Sequence, residues 1–228
     1  MSAGADIAIL VPVKELSHTK TRLSPLLSGE ERRRLAWVLL ERVLREVARA
    51  QRDCRRVVVS NYAPAIELAE ASGFEVIREA RQISESDSVD AASTLLERQG
   101  VRGVLRVPLD LPLFRGEALQ PLLEEAAAGR PAVLAPSRDR RGTNALYRSP
   151  PTLFPSRFGP DSLTLHEAEA RRCGADVRVM SVEALELDLD DAADVAELFR
   201  RGVSCPAVDY LASIDVAARL ARMAREPA

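Results

Sequence analysis

Lysine is almost missing from this chain. Its 32 basic residues are thirty arginines and only two lysines, Lys14 and Lys20, set against 34 acidic residues for a net charge of −2. That balance argues against a general binder of nucleic acid or of an anionic membrane, so any phosphate binding has to be local. Cysteine is scarce as well. Cys54, Cys173 and Cys205 are far apart and odd in number, which points away from a disulfide framework or a zinc cluster and towards a reducing cytoplasm. No apolar run reaches the ~18–20 residues that a membrane helix needs, and the start of the chain lacks the pattern of a signal peptide. The chain is therefore expected to be neither inserted nor exported. The two histidines, His18 and His166, have no neighbouring cysteine and no triad motif, and both are read as structural or peripheral.

What is present suits one large core. With 228 residues, 46% hydrophobic and 29% charged, folding should hide roughly 70–75% of the unfolded surface. Ile7 to Val13 is a short apolar run, the pattern of a strand buried on both faces. Ser28 followed by Glu31 forms a capping box, and Ala36, Leu39, Leu40, Val43, Val47 and Ala50 recur at helical spacing, predicting a helix from Gly29 to about Arg52. Alternation then continues. Strands are expected at Val57–Ser60, Phe74–Ile77, Val104–Pro108, Ala132–Ala135, Ala145–Arg148, Val177–Ser181 and Leu185–Leu189. Helices are expected at Pro64–Ser72, Val89–Gln99, Glu117–Ala128, from Asp191, and from Val208 to about Arg225. Such alternation builds an α/β fold, a mostly parallel sheet covered by helices on both faces, with ligands at the carboxyl ends of its strands. The reading is one domain over residues 1–202 with a helical C-terminal appendage over 203–228.

Four segments carry turn residues and charge at those strand ends. The first runs from Val13-Lys14 through Lys20-Thr21-Arg22 and could bind a polyphosphate, the alternative being a solvated basic loop. Where charge alone would serve, this chain uses arginine, so two lysines in one loop suggest places where a compact ammonium is wanted. The second is Pro108-Leu109-Asp110-Leu111-Pro112, whose proline-bracketed carboxylate suits Mg²⁺ or, equally, a cap of its turn. In the third, Gly142-Thr143-Asn144 offers a close-approach glycine and uncharged donors for an anion. The fourth joins Phe158-Gly159-Pro160-Asp161-Ser162, a turn opening a helix, to Leu187-Asp188-Leu189-Asp190-Asp191. Asp190, Asp191 and Asp194 suit the first turn of the following helix, whereas Asp188 precedes it.

Taken in order, Val11-Pro12-Val13-Lys14, Lys20 to Pro25, Pro108 to Pro112, Gly142 to Leu146, Phe158 to Ser162 with His166, and Leu187 to Asp190 resemble the 2-phospho-L-lactate guanylyltransferase family. The blocks span about residues 7 to 195. The resemblance implies a single-domain, Rossmann-like nucleotidyltransferase that uses GTP and Mg²⁺ in the biosynthesis of a deazaflavin redox cofactor. Its acceptor would be a phosphorylated three-carbon acid: 2-phospho-L-lactate, phosphoenolpyruvate or 3-phosphoglycerate. Lys14, Lys20, Arg22 and Asp110 are then the expected catalytic residues, and Val13, Lys14, Arg22, Ser88, Asp90 and Pro108 the nucleotide-binding ones. Thr143, Gly159 and Ser162 would grip the acceptor's phosphate, and Asp110, Asp188 and Asp190 the metal. The enzyme would work in the cytoplasm and hand its product to the next enzyme of the pathway, with a homodimer left open.

The chain departs from that family in places. Ser88-Val89-Asp90 stands where a Gly-Leu-Asn-like turn is usual, Asn61 where an acidic residue is frequent, and Leu109 where a smaller residue is common. Alternatives of the same fold are a molybdopterin guanylyltransferase or a cytidylyltransferase. A metal-dependent glycosyltransferase using Leu187 to Asp190, or a non-catalytic nucleotide-binding protein, would be different classes.

Overall fold

The computed structural model describes residues 6–16, 19–50 and 53–225; His18 and Arg52 lie outside them. Strand β1 (Ile7–Val13) owes its central place to side chains that are apolar on both faces. Ile9, Val11 and Val13 enter one core and Ala8 and Leu10 the other, all of them fully buried. After it come β2 (Arg55–Ser60), β3 (Glu75–Arg78), β4 (Gly103–Arg106), β5 (Ala132–Pro136), β6 (Thr143–Arg148) and β7 (Val177–Val179). The spatial order is β3-β2-β1-β4-β6-β5-β7. Only β6 is antiparallel to its neighbours, and this one reversal shapes the site. It brings the first residues of β6, Thr143 and Asn144, to the edge where the other strands end.

Helix α1 (Gly29–Ala50) starts as expected, with the Glu31 amide donating to Ser28 Oγ and the Ser28 amide to Glu31 Oε2. Its Ala36, Leu40, Val43 and Val47 cover the Ile9 face, together with α2 (Ala63–Ala71) and the turn that leads into α4 (Gln120–Ala127). The opposite face is covered by α3 (Glu85–Arg98) and α5 (Ser162–Arg172). Helix α3 begins four residues ahead of the expected start because Ser84 caps it, its Oγ accepting from the Asp87 amide.

Leu185–Leu189 is not a strand. Short helix α6 (Glu183–Glu186) occupies its start, and the stretch beyond it joins no ladder, the Leu189 amide donating once to the Asp110 carbonyl. The alternation there has a different cause. Leu187 and Leu189 point into a separate core with Leu23, Leu26 and Leu27, while Asp188 between them and Asp190 after them face a cavity. The same core takes in α7 (Ala192–Arg200), α8 (Pro206–Ser213) and α9 (Val216–Met223). The single C-terminal helix expected from Val208 is thus two, separated at Asp215, which adopts a left-handed φ of 56°. These helices back the basic loop directly: Arg219 holds Glu31 through both carboxylate oxygens, at 2.8 and 2.9 Å, and donates to the Leu26 carbonyl. Among the described residues no helix is long and apolar enough to cross a membrane.

Candidate active site

The loop after β1 is anchored by buried Leu16 and Leu23, which leaves its polar residues to point over the sheet edge. Lys20 has a left-handed φ of 53°, an uncommon conformation for a side-chain-bearing residue. Its side chain is only 5% exposed, and its Nζ lies 3.7 Å from Asp110 Oδ2 and 3.9 Å from Asp190 Oδ1. Nζ also donates a 2.6 Å hydrogen bond to the Leu189 carbonyl. Arg22 approaches the same aspartate from outside, 3.1 Å from Asp190 Oδ2 with its own side chain largely exposed. Val13 is buried and its carbonyl accepts from Ser60 Oγ. Lys14 is exposed and has no ion-pair partner among the described residues.

Asp110, Asp188 and Asp190 converge opposite that loop. Burial, then the charges of Asp110 and Asp190, push the Asp188 carboxyl up to about 7. Asp190 is also raised, by burial and by Asp110, while Lys20 and Arg22 pull it back. Neighbouring Asp191 and Asp194 have another task. They form the capping box of α7, Asp191 Oδ1 accepting from the Ala193 amide and Asp194 Oδ2 from the Asp190 and Asp191 amides. The capping expected of all three thus falls to two, and the Asp190 side chain belongs to the site.

Across the site, the turn before α5 is locked onto β6. The Thr143 amide donates to Ser162 Oγ at 2.9 Å, and the Leu163 amide donates to the Arg141 carbonyl. Thr143 and Ser162 therefore meet, as their shared candidacy required, with Gly159 at φ 126° turning the chain beside them. His166 is the fastener. Its Nε2 accepts from the Arg157 amide, so the neutral ring carries its proton on Nδ1 and donates to Thr143 Oγ1 at 3.0 Å. Burial, then Arg148, Arg106 and Arg157, lower its pKa to about 3.

Ser88 and Asp90, expected near the nucleotide base, both make hydrogen bonds within the fold, and neither is among the residues that line the cavity of this site. Ser88 Oγ donates to the Ser84 carbonyl. Asp90 accepts from the Ser156 amide and hydroxyl and pairs with buried Arg148. Two cavity residues escaped sequence reasoning. Arg106, buried at the end of β4, pairs with Glu85 in the first turn of α3 and lies 4.1 Å over the Phe158 ring. An arginine inside the apolar run Val104 to Val107 was the available signal.

Of these groups Arg22, Arg106, Asp110, Thr143, Gly159, Ser162, Asp188 and Asp190 line one cavity of about 580 Å³, whose wall also includes Pro108, while Lys20 lies behind its acidic wall. It has an acidic side, Asp110, Asp188 and Asp190, backed by Lys20 and fronted by Arg22, and a donor-rich side at Thr143, Ser162 and Arg106. The carboxylates suit a divalent cation and the cationic loop a polyphosphate.

Solved structures share this fold. A protein described as a nucleotide-diphospho-sugar transferase from Desulfovibrio desulfuricans superposes with a TM-score of 0.78 at 18% identity, covering 96% of this chain and 98% of its own. A cytidylyltransferase from Leptospira borgpetersenii gives 0.59 at 14%, covering 95% and 96%. Sequence narrows the class. The chain belongs to the family described as "Guanylyl transferase CofC like", matched over residues 7–226. It is 36% identical over 198 residues to phosphoenolpyruvate guanylyltransferase of Rubrobacter xylanophilus, covering 86% of this chain and 95% of that one. To 2-phospho-L-lactate guanylyltransferase of Methanothermobacter thermautotrophicus it is 32% identical over 202 residues, covering 89% and 88%.

Proposed function

We propose that this enzyme transfers GMP from GTP to the phosphate of a phosphorylated three-carbon acid, releasing pyrophosphate, in the biosynthesis of a deazaflavin coenzyme. The observation that carries the reading is the buried ammonium of Lys20, held between Asp110 and Asp190 at the edge of the cavity. A point charge so placed can follow the triphosphate as it breaks. The names of the relatives favour phosphoenolpyruvate as the first acceptor to test, with 2-phospho-L-lactate next.

An acceptor phosphate, whose second pKa is about 6, is already a nucleophile near neutral pH, so no histidine base is required. His166, with its pKa near 3 and both ring nitrogens bonded, is unsuited to be one. One acceptor oxygen forms a bond to the α-phosphorus, the bond from that phosphorus to the β-bridging oxygen breaks, and pyrophosphate leaves with the electron pair. Lys20, Arg22 and Lys14 stabilise charge on the departing group, and Thr143, Gly159 and Ser162 hold the acceptor in line.

Asp110, Asp188 and Asp190 would hold Mg²⁺. Their donor set is all oxygen, and the burial that chiefly raises Asp188, with the neighbouring charges of Asp110 and Asp190, is what a divalent cation would offset. Among the described residues no group of three or more carboxylate, histidine or cysteine side chains is placed to hold a metal ion, so one or two of these aspartates at a time would bind Mg²⁺ directly, with substrate phosphates and water completing its shell. When bound, it supplies charge neutralisation at the α-phosphate.

The test is pyrophosphate release with GTP and Mg²⁺ across the three acids, with CTP and ATP as nucleotide controls. Release that needs both GTP and one of the acids is expected. Turnover with CTP alone would move the chain to a cytidylyl reading.

A further inference from the structure

Two arginines are buried beneath the cavity, and they differ in one respect. Arg148, on β6, has its guanidinium fully engaged, by Asp90, Ser93 Oγ and the Phe154 carbonyl, and leaves no buried nitrogen unpartnered. Arg106, next to it on β4, is 6% exposed and lines the cavity wall. One terminal nitrogen donates to the Thr143 carbonyl at 3.2 Å and the other to Glu85, while Nε is buried with no partner. A guanidinium carries five N–H donors, so this one is under-used where a polar group is costly to bury.

The surroundings say what it could take. The guanidinium carbon lies 4.1 Å from the centroid of the Phe158 ring, a contact that restricts where its fork can swing. Planar forks match carboxylates. Its present anionic partner is itself a carboxylate, that of Glu85, which is 25% exposed. The acceptor carries two anionic groups. Its phosphate must reach the acidic, lysine-backed side where the nucleotide is attacked, which leaves the carboxylate for the side with Arg106, Thr143 and Ser162.

We propose that Arg106 reads the carboxylate of the acceptor acid, with Glu85 as the internal carboxylate that shares or yields the guanidinium. This rests on the guanylyl-transfer reading above and adds to it the residue that selects an acid over a simple alkyl phosphate.

The experiment compares two acceptors, 2-phospho-L-lactate and isopropyl phosphate, in which a methyl group replaces the carboxylate. Arg106→Gln should lower kcat/KM for the acid by about 10- to 150-fold, the worth of one charge-assisted hydrogen bond. It should leave isopropyl phosphate within about threefold and the KM for GTP unchanged, so the preference for the acid collapses. An unchanged preference, or an equal fall for both acceptors, would overturn the proposal, since a mere prop for Thr143 would affect both alike. Should Arg106→Gln not fold, Glu85→Gln reads the same contact: the KM for the acid should fall several-fold with that for isopropyl phosphate unmoved, and an unmoved KM for the acid counts against Arg106. Wild-type protein that guanylylates isopropyl phosphate as well as the acid would defeat this inference while sparing guanylyl transfer. Wild-type protein that guanylylates no phosphorylated acid would sink both.

Discussion

The Nζ of Lys20 donates to the carbonyl of Leu189 across 169 positions of sequence, at 2.6 Å. One bond thus ties the basic loop to the segment that carries Asp188 and Asp190. The pocket around Nζ fits a compact ammonium, and a guanidinium there would have to displace the loop or Asp190. Lys20→Arg should therefore lower kcat at least 100-fold although charge is kept. Lys14, exposed and with no ion-pair partner among the described residues, should differ: Lys14→Ala should raise the KM for GTP with an unchanged melting temperature. Wild-type kinetics for Lys20→Arg would leave Lys20 a structural link between the loop and Leu189.

Asp110 joins the two halves of the site through its backbone, its carbonyl accepting from the Leu189 amide, while its carboxylate faces Lys20. Asp110→Asn keeps the backbone bond and removes only the charge. Turnover should fall by several kcal/mol in activation free energy, as for loss of a metal's carboxylate ligand, with little change in melting temperature. Near-normal Mg²⁺-dependent activity in the folded variant would remove Asp110 from the site.

Ser162 has two duties that one variant can separate. Its Oγ accepts from the buried Thr143 amide, so Ser162→Ala strands that donor and should cost about 1–3 kcal/mol of stability. Were its hydroxyl also a contact of the acceptor, kcat/KM for the acid would fall about 10- to 150-fold with the KM for GTP unmoved. Both losses together are expected. A stability loss with unchanged acid kinetics would leave Ser162 purely structural.

Features with a local cause were legible in the sequence. The two-sided apolar run of β1, the Ser28–Glu31 capping box and the position of Asp110 between prolines each depend on a few adjacent residues. Leu185–Leu189 misled because alternation reports only that successive side chains face different surroundings. Here those are the Leu23–Leu27 core and an open cavity, with no neighbouring strand. Asp90 shows what no local pattern reveals: its partner Ser156 lies 66 residues away, and only the fold brings the two together. Arg106 was visible as an oddity in an apolar strand, but its use depends on Phe158 and Glu85, which only the fold brings to it.

His166 makes stability depend on pH in a window of its own. In the folded protein its pKa is lowered to about 3 by burial and three arginines, whereas the unfolded chain should protonate it near 6.5. Below 6.5 the unfolded state binds the extra proton, so the His166 contribution is complete above that pH and is lost as pH falls towards 3. Between pH 7 and pH 5 the loss should be about 2 kcal/mol. Asp188 works against it in that window. Its folded pKa is raised to about 7, so its contribution is greatest below 3.8 and is lost as pH rises through 7. Comparing wild type with His166→Gln cancels Asp188 and isolates the histidine. Glu31 and Glu197, both lowered to about 2, lose their contributions only below about 4.5 and stay silent. The variant should be less stable than wild type at pH 7, because the Arg157 and Thr143 contacts are disturbed, but that deficit should shrink by about 2 kcal/mol at pH 5. Urea melts of both proteins at the two pH values measure it, and a deficit that stays constant would mean that His166 is protonated in the fold.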